Sequence, residues 1–257
     1  MASDIGFALM LSALAGLSTT IGSLLGLFVR QPGPRFMTLT LGFSAGAMIL
    51  VSFVELLQGG IEAIGIGPAH LAFFGGMVVI FLIDALIPHE YMAEHHKTQD
   101  GGRKERLMRT GLFVALGIGI HNFPEGMASF AGALESRQLG MAIAFAVAVH
   151  NVPEGLAVSA PIYAATGSRG KAFLWSFLSG VAEPVGAGLA ALVLMPFLNE
   201  AVLGVVLAAV AGIMVIISID ELVPVSRSFG EEHLSIVGVV AGMAVMALSL
   251  WMLKVKT

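Results

Sequence analysis

Apolar residues run along this chain in stretches far longer than a soluble core element needs, broken by charges, prolines or glycine-rich turns. A spanning helix needs about 20 apolar residues, and the pattern predicts eight of them, at roughly 5–29, 36–58, 70–90, 108–134, 138–165, 171–197, 201–225 and 234–254. The breaks are mostly a few residues, so the prediction is an all-α membrane protein of eight transmembrane helices in a single domain, 1–257. The longest polar stretch, about 91–107, reads as a loop. Composition strengthens this reading: 57% of residues are hydrophobic, 12% are charged and the mean hydropathy is +0.92. Soluble domains average roughly 45–50% apolar and about 25% charged, so such a surface could not be kept in water. A net charge of −4 leaves no basic stripe for nucleic acid. The absence of cysteine removes disulfides, thiolate nucleophiles and Cys-based metal sites together. Any metal site must then be built from His, carboxylate and amide groups.

The cations set the orientation. Arg30 and Arg35 fall between the first two predicted helices, Lys97, Arg103, Lys104, Arg106 and Arg109 between the third and fourth, Arg169 and Lys171 between the fifth and sixth, and Arg227 between the seventh and eighth. Only Arg137, Lys254 and Lys256 fall on the other side. The positive-inside rule makes the odd-numbered loops cytoplasmic, the 91–107 loop among them, and puts both termini outside. The N-terminus has Asp4 and no cation, so it lacks the charged start of a cleaved leader and the first helix is expected to remain.

Internal similarity comes next. Ala45 to Leu56, AGAMILVSFVEL, meets Ala211 to Leu222, AGIMVIISIDEL, at a constant offset of 166, with Ala45, Gly46, Met48, Ser52, Glu55 and Leu56 facing identical residues. Helices one and six match more weakly, Leu14, Gly16, Gly22 and Leu25 meeting Leu178, Gly180, Gly186 and Leu189. Helices four and five share HNFPEG (His121 to Gly126) and HNVPEG (His150 to Gly155). Partners in each pair have opposite parity and so run antiparallel, which is the mark of an inverted repeat about an axis in the membrane plane.

The two hexapeptides carry the chemistry. His121 and Glu125 are four apart, as are His150 and Glu154, so each pair lies on one helical face. All four fall near the middle of their spans, where an ionisable group costs about 2.5–3.5 kcal/mol, a cost that a divalent cation can offset. Pro124 and Pro153 free the carbonyls of Ile120 and Val149, and Asn122 and Asn151 offer neutral amide oxygens beside the first position. A lone intramembrane His is more often a packing residue, but two copies of one motif at the midplane of antiparallel helices point to function. Glu183, mid-helix in SGVAEPVGAG, points the same way. Glu55, Asp84, Asp220 and Glu221 fall nearer predicted helix ends, where snorkelling explains them as well as a functional role does, which for Glu55, Asp220 and Glu221 would be as gate or secondary metal ligands. His89, Glu90, His95 and His96 could collect metal on the cytoplasmic side, or belong to a solvated face.

HNFPEG and HNVPEG on consecutive helices, AEP (Ala182 to Pro184) on the next and DEL (Asp220 to Leu222) on the one after resemble the ZIP (Zrt-, Irt-like) family of divalent metal transporters, its bacterial members in particular. The likeness covers the whole chain and implies eight helices in a 3+2+3 arrangement, residence in the inner membrane and a lipid bilayer as surroundings. It implies uptake into the cytoplasm of Zn(II) as transported substrate, with iron, manganese, cobalt and cadmium taken less selectively. It also implies a primary metal position of His121, Glu125, His150 and Glu154, and a second one of Asn122, Asn151 and Glu183, bridged by Glu125 and Glu154. Two such ions would stand about 3.5–4 Å apart. The likeness admits a homodimer and implies no catalytic cofactor. The 91–107 loop is poorer in His than that of many relatives.

Other classes fit less well. No Walker A pattern occurs, since Gly170 and Lys171 are followed by Ala172, so no ATP site is expected. An intramembrane metalloprotease would typically carry HExxH, which is absent, and no enzyme activity is expected. A proton-coupled carrier of an anionic substrate should show cations at the midplane, and none occurs.

Overall fold

The computed structural model describes residues 2–28, 33–86, 103–194, 197 and 199–255. Among them there is no strand. The long elements are helices α1 (Ala2–Phe28), α2 (Pro34–Ile64), α3 (Ile66–Leu86), α4 (Arg103–Glu135), α5 (Arg137–Thr166), α6 (Arg169–Leu194), α7 (Glu200–Ser228) and α8 (Glu232–Val255). Seven of these are long and apolar enough to cross a membrane, and the protein is a multi-pass membrane protein. The remaining one, α4, has 33 residues and is about 50 Å long at 1.5 Å per residue. It is diluted by Arg103, Lys104, Glu105, Arg106 and Arg109 at its start and by His121, Asn122 and Glu125 in its middle.

The chain turns sharply where local chemistry allows. Gly65 alone separates α2 from α3 and sits at φ +82, a conformation a side chain would resist. Ser136 alone separates α4 from α5 and caps the latter, its hydroxyl accepting from the Leu139 N–H at 3.1 Å. Asn199 caps α7 through the Val202 N–H at 2.9 Å.

The two largest departures from the sequence pattern lie at the end of the second helix and the start of the fourth. The second helix, expected to stop near residue 58, continues to Ile64. Gly59 and Gly60 read as a break, but Gly60 is a contact surface: a Cβ there would stand 2.8 Å from the Ala208 methyl and 2.9 Å from the Gly204 carbonyl oxygen of α7. Of the predicted loop, residues 103–107 belong to α4, whereas 91–102 lie outside the described residues.

Helices α1, α4, α5 and α6 pack on one another, α2 pairs with α8, and α3 with α7. The two groups meet where α2 crosses α5 and α4 crosses α7. Several of the tight pairs rest main chain on main chain. A Cβ on Gly22 would overlap the Val152 carbonyl, one on Gly155 that of Thr19, one on Gly126 that of Glu183, and one on Gly186 that of Phe123. In the other group Gly46 rests on Val239, Gly242 on Phe43, Gly212 on Phe73 and Gly76 on Ala209. Small residues are how membrane helices reach such spacing, since lipid offers no hydrophobic drive to associate. Both α2 and α7 contain one π-helical turn, at Ser52–Leu57 and Ser218–Leu222. Each opens with a serine donating to the carbonyl one turn back, Ser52 to Met48 and Ser218 to Met214, both at 2.7 Å.

Candidate metal centre

The hexapeptides lie in unbroken helix, Pro124 inside α4 and Pro153 inside α5. His121, Asn122, Glu125, His150, Asn151, Glu154 and Glu183 are each no more than 1% exposed. So dense a set of buried polar groups needs partners, because each would otherwise forgo its hydration without compensation. The sequence places each His beside the Glu of its own helix, yet the structure pairs each with the Glu of the other. His121 Nε2 lies 3.1 Å from Glu154 Oε2, and His150 Nε2 lies 3.1 Å from Glu125 Oε1. The two contacts cross between α4 and α5.

Around these pairs the amides tie in the neighbouring helices. The Asn151 amide donates to Glu183 Oε2 at 2.9 Å and to the Ala15 carbonyl of α1 at 3.2 Å. The Asn122 amide donates to the Ser179 carbonyl of α6 at 3.1 Å. Glu183 is thus brought to the hexapeptides, as its place in helix six suggests. Six buried ligand-type atoms keep no hydrogen-bond partner: Nδ1 of His121 and His150, Oδ1 of Asn122 and Asn151, Oε2 of Glu125 and Oε1 of Glu183. Among the described residues no three His, Asp or Glu side chains gather about one point. The carboxylates are held in pairs with imidazoles instead.

Residues with weaker sequence signals fall differently. Glu55 is 5% exposed and lies in the π-helical turn of α2, well before that helix ends. This corrects its assignment to a helix end, and the cause is the continuation of α2 through Gly59 and Gly60. Glu221 is half-buried, with Oε2 at 2.9 Å from where a Cβ of Gly117 would stand, one turn before His121 on α4. Asp220 is exposed. His89, Glu90, His95 and His96 lie outside the described residues. One participant had no sequence signal beyond being a hydroxyl in an apolar run: Ser44 of α2, fully buried, donates to Glu154 Oε1 at 2.8 Å and lies 3.4 Å from the His150 carbonyl oxygen.

The arrangement joins two imidazoles, three carboxylates and two amides, a donor set of intermediate softness suited to late first-row divalent ions. Comparison with known proteins points the same way. Residues 88–250 match the family described as ZIP Zinc transporter. The zinc transporter ZupT of Chlorobium phaeovibrioides is 55% identical over 97% of this chain and 99% of its own. That of Chlorobium chlorochromatii is 52% identical over 97% and 98%, and that of Corynebacterium aurimucosum 48% identical over 96% and 97%.

Proposed function

The chain belongs to the ZIP family of zinc transporters, and on that premise we propose that it carries divalent transition metals, Zn(II) foremost, across the inner membrane into the cytoplasm. Iron, manganese, cobalt and cadmium are the further substrates of the same site. The observation that carries this reading is the crossed pair of His–Glu contacts, closed off from solvent and ringed by six ligand atoms without a partner. In this reading an arriving ion takes the place of the proton held between each imidazole and its carboxylate. His121, Glu125, His150 and Glu154 make the primary position. Asn122, Asn151 and Glu183 make the second, with Glu125 and Glu154 bridging.

The wider architecture proposed is a single unit of eight spans in a 3+2+3 inverted repeat, both termini outside, as a monomer or homodimer. Mirrored contacts support the repeat: Gly46 on Val239 and Gly212 on Phe73 are related by 166 residues in both members, and the two serine-led π turns by the same offset. Gly22 on Val152 and Gly186 on Phe123 mirror each other too, with 164 residues between the glycines and 29 between their partners. Glu55 and Glu221, one in each π turn, are proposed as the carboxylates flanking the central site on its outer and inner sides, with Asp220 beside the inner one.

The test is metal uptake into liposomes by purified protein with a panel of divalent ions. Glu125→Ala and Glu154→Ala should each abolish uptake while the protein still inserts, whereas Asn122→Ala and Asn151→Ala should alter only rate or preference. Full uptake by either glutamate variant would overturn the assignment of the site, and equal loss from all four would discard the bridged pair.

A further inference from the structure

The two halves of the crossed pair are not equally held. Glu154 has both oxygens engaged, Oε2 with His121 and Oε1 with the Ser44 hydroxyl of α2. Glu125 has only Oε1 engaged, with His150, and its Oε2 is buried without a partner. The difference has a source in the sequence. At the offset of 166 that relates α2 to α7, Ser44 corresponds to Val210, a buried residue with no hydrogen to donate. Helix α7 crosses α4, which carries Glu125, as α2 crosses α5, which carries Glu154.

We infer that Ser44 is a positioning residue for Glu154, and that Val210, by withholding the equivalent hydroxyl, leaves Glu125 as the mobile carboxylate through which the ion is taken up and passed on. This inference rests on the transport reading of the same site. A hydroxyl donated to Oε1 leaves Oε2 facing His121, so Glu154 is held in the orientation an ion between it and His121 requires. Pre-orienting a ligand tightens binding, because the ordering is done before the ion arrives. A carboxylate with a free oxygen can turn, which favours exchange over retention. One anchored and one loose ligand give a site that orients its ion without trapping it.

Two variants act in opposite directions. Ser44→Ala should raise the Kd for Zn(II) about tenfold, as expected for loss of a hydrogen bond to a charged group. It should raise the KM for uptake equally and leave the maximal rate within about twofold, since the lost interaction is one of binding. Val210→Ser, which places a hydroxyl at the position equivalent to Ser44, should lower Kd and reduce the maximal rate. Binding is measured on purified protein with Zn(II) alone, and uptake in liposomes at matched abundance and matched thermal stability. A role in packing alone would lower abundance or stability without splitting KM from rate. The inference is overturned if Ser44→Ala shifts Kd by less than about twofold, or if Val210→Ser weakens binding. Glu154→Gln separates the two levels: normal zinc affinity in that variant would bring down the site itself, whereas lost affinity there with an unaffected Ser44→Ala would bring down only the positioning role.

Discussion

Proton competition gives the site its most quantitative test. A metal-ligating imidazole must be neutral, so protons and metal compete for the same nitrogen. Both imidazoles present Nε2 to a carboxylate across the α4–α5 crossing at 3.1 Å, so both would exchange a proton for the ion. Between pH of about 7 and 5.5, each imidazole that must release a proton to bind the ion costs up to about tenfold in apparent affinity per pH unit, and two together up to about a hundredfold per unit. The apparent Kd for Zn(II) should rise by that larger factor, its logarithm approaching a slope of two against pH. Removing one ligand, as in His121→Gln, should halve the slope. Equilibrium dialysis with radiozinc on protein in nanodiscs measures this directly, free of any effect of pH on a driving gradient. An affinity that changes by less than about twofold over the window would mean that neither His121 nor His150 binds the ion.

Gly155→Ala should lower the melting temperature by a loss of about 1–3 kcal/mol, because its methyl would overlap the Thr19 carbonyl. Gly188→Ala, which meets nothing within 4 Å, should be neutral or stabilising by up to about 1 kcal/mol. Equal melting shifts would refute the main-chain contact. Glu55→Gln should lower uptake mainly at low external metal and Glu221→Gln should lower the maximal rate; similar small changes in both parameters for both variants would discard the flanking assignment. Single cysteines at Ser136 and Thr98 should react with an impermeant thiol reagent from opposite faces, Thr98 from the cytoplasm, and labelling of both from outside would overturn the orientation.

Much of the candidate site was legible because its chemistry is written twice. HNFPEG and HNVPEG stand out against apolar helices, and a charged residue such as Glu183 in mid-span calls for an explanation. The crossed pairing was not legible, since spacing along one helix says nothing of which face a neighbour presents. Ser44 was missed for the same reason: its partner Glu154 is 110 residues away, and serine in a membrane helix commonly satisfies itself on the preceding turn, as Ser52 and Ser218 do. Gly59 and Gly60 misled because glycine signals both a turn and a close contact, and only the facing Gly204 and Ala208 decide between them.

The glycines beside Glu125 and Glu154 bear on which ions the proposed site can embrace. Gly126 follows Glu125 and rests on the carbonyl of Glu183, while Gly155 follows Glu154 and rests on that of Thr19. At these two contacts no side chain stands between the main chains to yield by changing rotamer, so the spacing of α4 from α6 and of α5 from α1 is fixed next to the points where Glu125 and Glu154 are attached. Zn(II) asks for oxygen and nitrogen at about 2.0–2.2 Å, Ca(II) for six to eight oxygens at about 2.3–2.6 Å. A larger shell at the proposed site would have to be met by turning a side chain such as Glu125 within this fixed spacing, or by moving α4 from α6 and α5 from α1 as bodies, so the helix axes bound how far the ligands can reach.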